Sequence, residues 1–273
     1  WITGINQVVL AGGIFYNVKT NQKIYQIPEV ADMYIYPAAG DSGVSIGAVL
    51  LDSHLHEGVK NKKTEHVYYG TSYSNDYIKS VLDKTDFEYE YIEDIGSHVG
   101  SEIIPNDSMV GWFRGSMEFG PRALGARSIL ISPKKLENKK KILSTIKKRP
   151  EFQPFCPSIT HESMKDYVIN DKNTEVPFMI LALTGTEKMV KEAPATTFTD
   201  KSVRVQDVKR EINPEFHSLI SNFGNISGTP VLLNTSFNKS GQAIVHTPEQ
   251  ALYDLKNSGL DYLVLENYLV KKG

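Results

Sequence analysis

The stretch GWFRGSMEFGPRALGARSIL, residues 111–130, leads from one apolar run through a glycine-rich loop into another apolar run. Arg122 and Arg127 lie in this stretch, and Glu118 is the obvious counter-charge. A guanidinium in a tight turn is held in one geometry, and its fork of donors suits phosphate or carboxylate. The alternative is an ion pair of Glu118 with one arginine, which would hardly account for both. The loop therefore predicts an anion site.

Strand-like and helix-like segments alternate around this loop, which predicts an α/β or α+β fold. Residues 8–10 indicate a buried strand that runs into a Gly-Gly turn, and PAAGDSG precedes a helix for which Asp41 or Ser42 is the expected N-cap. Near the end, TPEQALYDLKNSG predicts a helix with Thr247 as N-cap and a capping box, followed by two short strands.

The bulk properties exclude some functions. The 273 residues carry a formal net charge of −2, which gives no support for nucleic acid as a partner. No apolar run is long enough to span a bilayer, so a membrane partner is not expected. The single cysteine, Cys156, rules out an internal disulfide and fits a cytoplasmic protein.

The composition becomes polar and rich in tyrosine and serine over residues 61–93, and we expect a domain boundary there. Because the chain opens on Trp1 and reaches an apolar run within a dozen residues, we expect it to begin in mid-domain, as a fragment of a larger protein.

Cations and polar groups recur in three further stretches. Lys147 and Arg149 lie at a predicted helix end. This position favours phosphate binding and simple pairing with the helix dipole equally. Arg204 lies in a strand-like alternation and needs an anion only if it faces inward. The polar set Asn234, Thr235, Ser236 and Asn238 follows a buried strand and suits an amide or a nucleotide edge, or else forms a plain polar turn.

The N-terminal region offers weaker signals. The turn at Gly12 and Gly13 is a candidate phosphate loop, although a Gly-Gly turn alone is a weak signal. Asp41 is either a helix cap or a metal ligand, and the seven histidines show no metal pattern. Cys156, between Phe155 and Pro157, is better explained as a packed thiol than as a nucleophile.

Taken together, seven ordered motifs resemble the carbamoyltransferase family of nodulation and antibiotic biosynthesis. The resemblance covers residues 8–270, and the motifs are LAGGIFYN, PAAGDSGVSIGA, GWFRGSMEFGPRALGARSIL, KKRPEFQPFCPS, VRVQDV, PVLLNTSFN and AIVHTPEQAL.

This resemblance implies two domains. Residues 1–65 would be the C-terminal part of an actin/Hsp70-like ATPase-fold domain, and residues 66–94 a linker. Residues 95–273 would form an α/β domain like threonylcarbamoyl-adenylate synthase. The missing half of the first domain would be a partner of this chain, and a homodimer stays open.

The resemblance also implies an ATP-dependent O-carbamoyltransferase. Carbamoyl phosphate and ATP, with Mg²⁺, would give carbamoyl-adenylate, and the carbamoyl group would then pass to a hydroxyl of a small molecule. By the same resemblance the catalytic residues would be Arg122, Arg127, Lys147, Arg149 and Arg204. The substrate and nucleotide would be bound by Ser128, Asn234, Ser236, Asn238, Gly12, Gly13, Asn17 and Gly40. Asp41 would be a ligand of Fe²⁺ or another divalent metal in the ATPase-like domain, with histidine partners outside this chain.

Two positions depart from the family pattern. Phe198 stands where the family usually has histidine, and Gln153 stands where it usually has arginine. These departures keep open the alternative of a non-catalytic nucleotide-binding partner. A separate alternative is a relative of the enzymes that transfer threonylcarbamoyl to tRNA. The near-neutral charge argues against the tRNA alternative.

Overall fold

The computed structural model describes residues 4–60, 63–150, 153 and 155–272, which carry a mixed α/β fold, as the alternation of segments predicts. The helices are α1 (Val18–Tyr25), α2 (Val44–Glu57), α3 (Asn75–Leu82), α4 (Ile95–His98), α5 (Leu136–Ile142), α6 (Met164–Tyr167), α7 (Glu187–Glu192), α8 (Pro214–Ser227) and α9 (Pro248–Lys256). The strands are β1 (Gln7–Leu10), β2 (Asp32–Ile35), β3 (Tyr89–Tyr91), β4 (Val110–Phe113), β5 (Arg127–Ile131), β6 (Cys156–Thr160), β7 (Val168–Ile169), β8 (Leu183–Gly185), β9 (Ser202–Val203), β10 (Gln206–Val208), β11 (Val231–Ser236), β12 (Tyr262–Leu265) and β13 (Tyr268–Lys271).

An eight-stranded sheet in the order β10-β6-β11-β5-β4-β12-β13-β3 forms the centre of the larger unit. The central strands β4 and β5 are buried along their whole length because helices cover both faces of the sheet there. Ile129 and Ile131 of β5 pack in a core with α3, α5 and α9, whereas Leu130 between them packs in a core with α4 and α8. The period of two along the strand therefore divides the apolar residues between two cores.

The N-terminal residues form a smaller unit, in which β1 and β2 pair in parallel and α1 connects them. This unit shares a core with the three-stranded sheet β7-β8-β9, and Met33 and Leu181 are among the buried members. Asn21 is fully buried and donates from Nδ2 to the carbonyls of Phe15 (2.7 Å) and Ile180 (2.6 Å). One amide thus joins α1 to the larger unit.

Residues 66–94, the predicted linker, contribute to the larger unit. Ile78 and Leu82 of α3 are fully buried in its core, and β3 is an edge strand of the eight-stranded sheet. The predicted domain boundaries stay a prediction, but α3 and β3 pack as parts of the second unit.

Of the two helix N-caps that the sequence predicts, one is confirmed and one is wrong. The capping box of α9 is confirmed, with Thr247 and Gln250 bonded reciprocally. The expected cap of α2 is wrong: α2 begins at Val44, its N-cap is Gly43 without a side-chain bond, and Asp41 begins a short turn before it. A Cβ at Gly43 would lie 2.1 Å from the Ala38 carbonyl oxygen, so the tight approach of residue 38 requires glycine there.

Helix α2 has no buried residue along its length. Val44, Val49, Leu51 and Leu55 expose apolar side chains, and Val9 of β1 is also exposed. Within the described ranges, no helix combines the length and the apolarity that crossing a membrane requires.

We predict that Asn21→Ala lowers the free energy of unfolding by about 1–3 kcal/mol, because it leaves two buried carbonyls without their donor. Thermal and chemical denaturation of the purified protein measure the loss. Lys23→Ala is the control, since Lys23 is exposed on the same helix and should leave stability within about 0.5 kcal/mol of the wild type. Equal stability of the two variants would contradict the role of Asn21.

Candidate functional site

The polar segments predicted to bind ligands meet at one edge of the eight-stranded sheet, where the ends of several strands lie side by side. Strand β10 is parallel to β6, and β11 is antiparallel to both β6 and β5. The starts of β5, β6 and β10 and the end of β11 therefore lie at the same edge. This edge brings together Ser128, Cys156, Gln206 and Ser236 from four separate segments.

The arginine loop, residues 114–126, connects β4 to β5 above this edge, and one carboxylate shapes it. Glu118 Oε1 accepts from the backbone N–H groups of Leu124 (2.6 Å), Ala126 (2.7 Å) and Arg127 (3.3 Å). Glu118 is buried, and burial raises the pKa of its carboxyl although these N–H groups act in the opposite direction. In the described part of the chain Glu118 forms no salt bridge with an arginine, so its main role is to hold the loop's backbone.

A buried polar network supports the same loop from below. Asn234 Nδ2 donates to the Ala123 carbonyl (3.2 Å) and to Ser158 Oγ (2.9 Å), and Ser158 Oγ donates to Gln206 Oε1 (2.6 Å). Ser128 Oγ accepts from the N–H of Gly125 at 3.1 Å. Asn234 and Ser128 are fully buried, so both lie beneath the loop and position it.

Arg127 makes structural contacts. Its side chain is fully buried and lies over the ring of Phe113, its partner across the β4–β5 pair, with the guanidinium carbon 3.6 Å from the ring centre. Its nitrogens donate to the carbonyls of Ala126 (2.9 Å), Thr71 (3.0 Å) and Gly115 (3.1 Å). Burial lowers the pKa of Arg127 to about 10. These contacts tie the arginine loop to the segment before α3.

The four remaining predicted cations lie together, and we call Arg122, Lys147, Arg149 and Arg204 the cationic cluster. Burial and the nearby charge of Arg204 lower the pKa of Arg122 to about 10. Burial also lowers the pKa of Arg149, which has Cys156 and Arg204 as neighbours. Cys156 is buried beside the three arginines, and its Sγ accepts a hydrogen bond from Arg204 Nε at 2.6 Å.

Lys147 is held entirely by neutral oxygen atoms. Its Nζ donates to the side-chain oxygens of Asn238 (2.7 Å) and Ser236 (3.1 Å) and to the carbonyls of the same two residues. Burial, with a smaller contribution from Arg149, lowers the pKa of Lys147 to about 7. Ser236 and Asn238 therefore position an amine whose charge depends on what binds beside it.

The cluster lacks matching negative charge. Among the residues that the structure describes, no carboxylate forms a salt bridge with any of its four members. The Nε atoms of Arg122 and Arg149 are buried and have no hydrogen-bond partner there. Lys147 is buried and the three arginines are half-buried. Since positive charge held partly out of water without a counter-charge is costly, this arrangement favours an anionic ligand.

The N-terminal glycine turns lie beside the cluster. Arg122 Nη2 donates to the Tyr16 carbonyl at 3.1 Å, and the N–H of Gly40 donates to Tyr16 Oη at 2.9 Å. Gly12 has φ +113° and donates to the Ala39 carbonyl at 2.7 Å. Arg122 thus stands between the sheet edge and the predicted loops of the first domain.

Two other N-terminal predictions lie close to these turns. Gly13 begins a short helical turn directly after Gly12, and Asn17 caps α1 by accepting from the N–H groups of Lys19 and Thr20. Asn17 therefore has a structural role, and its role toward a nucleotide stays a prediction.

The residues at hand do not by themselves fit a metal. Asp41 is exposed, and no group of three His, Cys, Asp or Glu side chains in the described ranges could hold a metal ion. The predicted histidine partners of Asp41 would have to come from outside this chain.

The two departures from the family pattern lie at different places. Phe198 is half-buried where α1 meets the larger unit, with Lys19 Nζ 5.0 Å from its ring centre. Gln153 is exposed. Tyr16 and Ser158 lie within two of the seven motifs, but their roles could not be predicted, because each acts through a contact with a residue far away in the chain.

Two family models match the chain. A model described as carbamoyltransferase C-terminus matches residues 101–272, and one described as carbamoyltransferase N-terminus matches residues 2–50.

Relatives align along almost the whole chain. An uncharacterised protein of Methanocaldococcus jannaschii is 36% identical over 98% of this chain, and a nodulation protein of Sinorhizobium fredii is 35% identical over 99%. A 3'-hydroxymethylcephem-O-carbamoyltransferase of Amycolatopsis lactamdurans is 27% identical over 94%. The chain spans 45%, 40% and 47% of the lengths of these three relatives, respectively.

We predict that ATP binding at pH 8 is accompanied by the uptake of a proton by Lys147. A side chain with a pKa of about 7 is mostly neutral at pH 8, and a bound anion raises that pKa. Calorimetric titration with ATP in two buffers of different ionisation enthalpy measures the uptake, which should approach about one proton per ATP. Affinity should accordingly fall as the pH rises above 7.

Lys147→Met should abolish the proton uptake, whereas Lys148→Met, at the exposed neighbouring position, should retain it. Uptake that persists in Lys147→Met, or that is absent in the wild type while ATP binds, would contradict this assignment.

Proposed function

This chain belongs to the carbamoyltransferase family, and from that premise we propose that it is part of an ATP-dependent O-carbamoyltransferase. In the proposed reaction, carbamoyl phosphate and ATP give carbamoyl-adenylate at the cationic cluster. The carbamoyl group then passes to a hydroxyl of a small molecule at the N-terminal unit.

The stoichiometry of the first step determines which molecules the cluster must bind. Carbamoyl-adenylate keeps a single oxygen between its carbonyl carbon and the α-phosphorus, so release of both phosphate and pyrophosphate consumes one water. Hydrolysis of carbamoyl phosphate gives carbamate and phosphate. The carbamate oxygen then attacks the α-phosphorus of ATP, and the bond to pyrophosphate breaks.

The observation that carries the proposal is the unneutralised cationic cluster. Every species in the first step except water is an anion, and the transition state at the α-phosphorus spreads charge over phosphoryl oxygens. Arg122, Arg149 and Arg204 come from separate segments, and the sheet edge fixes their positions before a ligand arrives. Preorganised donors of this kind stabilise developing charge without reorganisation.

Lys147 suits the smaller ligand of the first step. Its amine is oriented by Ser236 and Asn238, and it lies beside Arg149. A carbamate carries both an anionic oxygen and an amide-like NH₂ group, so the Lys147 ammonium can donate to the oxygen while neighbouring neutral oxygens accept from the NH₂ group. Mg²⁺ bound to the triphosphate would neutralise further charge, and the described residues need supply no ligand set for it.

Arg122 suits the second step, because it contacts both regions. Its guanidinium lies with Arg204 at the sheet edge and donates to Tyr16, whose hydroxyl binds Gly40. An adenylate formed at the cluster would therefore lie close to the N-terminal turns, where the hydroxyl acceptor is proposed to bind.

A further polypeptide segment is a proposed partner of the N-terminal unit. The exposed apolar side chains of α2 and of β1 form a face that a folded protein ordinarily covers. The chain spans less than half the length of the three relatives described above, which supports the same partner.

We predict that Arg149→Met lowers carbamoyl phosphate-dependent exchange between ATP and labelled pyrophosphate by at least about 100-fold, as expected for the loss of one preorganised donor. Arg210→Met is the matched control, because Arg210 is exposed and lies outside the cluster. This control should exchange at the wild-type rate.

The exchange between ATP and pyrophosphate is measured with the full-length protein of which this chain is proposed to be a part. Equal rates in the two variants would contradict the proposal. A protein that binds ATP but shows no exchange with carbamoyl phosphate would instead be the non-catalytic nucleotide-binding partner.

A further inference from the structure

A partly open cavity lies where the two units meet, and no member of the cationic cluster lines it. Its volume is about 230 Å³, and strand β2, the segment before α3, and strand β10 contribute to its wall. Tyr34, His66, Tyr68 and Phe178 are the aromatic residues that line it. Four distant stretches, within residues 33–35, 63–68, 174–181 and 206–213, thus border one space together with Leu124.

Glu175 and Asp207, two of the acidic side chains that line this cavity, already have partners, and the other two, Glu65 and Glu211, are exposed to solvent. Glu175 binds Lys209 at 2.7 Å and Lys63 at 3.1 Å, and Asp207 binds His161 at 2.9 Å. The cavity therefore does not require an ionic ligand.

The rest of the wall favours a flat apolar molecule. Val67, Val176 and Leu181 are buried and line the cavity. The rings of His66 and Tyr68 lie nearly parallel, 14° apart, with their centres at 6.1 Å. Aromatic surfaces of this kind pack well against another ring.

The cavity shares a wall with the arginine loop. The Leu124 carbonyl accepts from Tyr68 Oη and from Gln206 Nε2, both at 2.8 Å, and all three residues line the cavity. Phe119, in the same loop, donates its N–H to the Val67 carbonyl at 2.7 Å. A molecule that moves Tyr68 or Gln206 must therefore move the backbone two residues after Arg122.

We propose that this cavity binds a neutral, ring-bearing small molecule, and that its occupancy is transmitted to the arginine loop through the Leu124 carbonyl. The size of the ligand follows from the volume: an apolar cavity of about 150 Å³ holds benzene, so this cavity suits two fused rings. The inference does not depend on the reaction proposed above, because it concerns a different space and the shape of the loop.

Indole is the probe, and ligand-observed NMR measures its binding. Val176→Phe fills the cavity and should weaken indole binding at least about tenfold, whereas Val49→Phe, on the exposed face of α2, should leave it unchanged. If Val176→Phe fails to fold, Ile212→Phe, at a half-buried position of the cavity wall, takes its place.

Amide hydrogen exchange of residues 118–127 measures the coupling. Saturating indole should change exchange in this loop in the wild type and in Val49→Phe, and not in the cavity-filling variant. The proposal is overturned if the wild type does not bind indole, if the filled cavity binds it equally well, or if binding leaves exchange in the loop unchanged.

Discussion

Positive charge that is not neutralised constrains the whole candidate site. Arg122, Lys147, Arg149 and Arg204 meet at one sheet edge, and within the described ranges no carboxylate forms a salt bridge with them. Burial, with a smaller contribution from the neighbouring positive charges, lowers the pKa values of Arg122, Lys147 and Arg149, which is the cost of holding these cations out of water. A bound phosphorylated ligand would remove this cost, which supports the proposal that the cluster binds a phosphorylated substrate.

Neutral groups hold the cluster in place. Backbone N–H groups surround the Glu118 carboxylate, and the buried side chains of Asn234, Ser158 and Gln206 bind one another and the carbonyls of the arginine loop. None of these bonds uses a member of the cluster. The scaffold can therefore remain unchanged when the cations exchange one anion for another.

The sequence predicted the elements well where a local signal defines them. The capping box of α9 and the buried strands β4 and β11 follow from residue type and period alone. The sequence could not tell Arg122 from Arg127, which lie five positions apart in one motif. Only the β4–β5 register places Arg127 opposite Phe113 and buries it, while Arg122 stays in the loop beside Arg204. The cavity could not be predicted from the sequence either, because its wall comes from four distant stretches and Leu124.

A crystal structure of the protein with bound ATP tests the central claim most directly. The account predicts that phosphate oxygens lie within hydrogen-bonding distance of Arg149 and Arg204, next to Lys147, while the bonds of Arg127 to backbone carbonyls are unchanged. Phosphate groups bound at another place, with the cationic cluster as it is here, would contradict it.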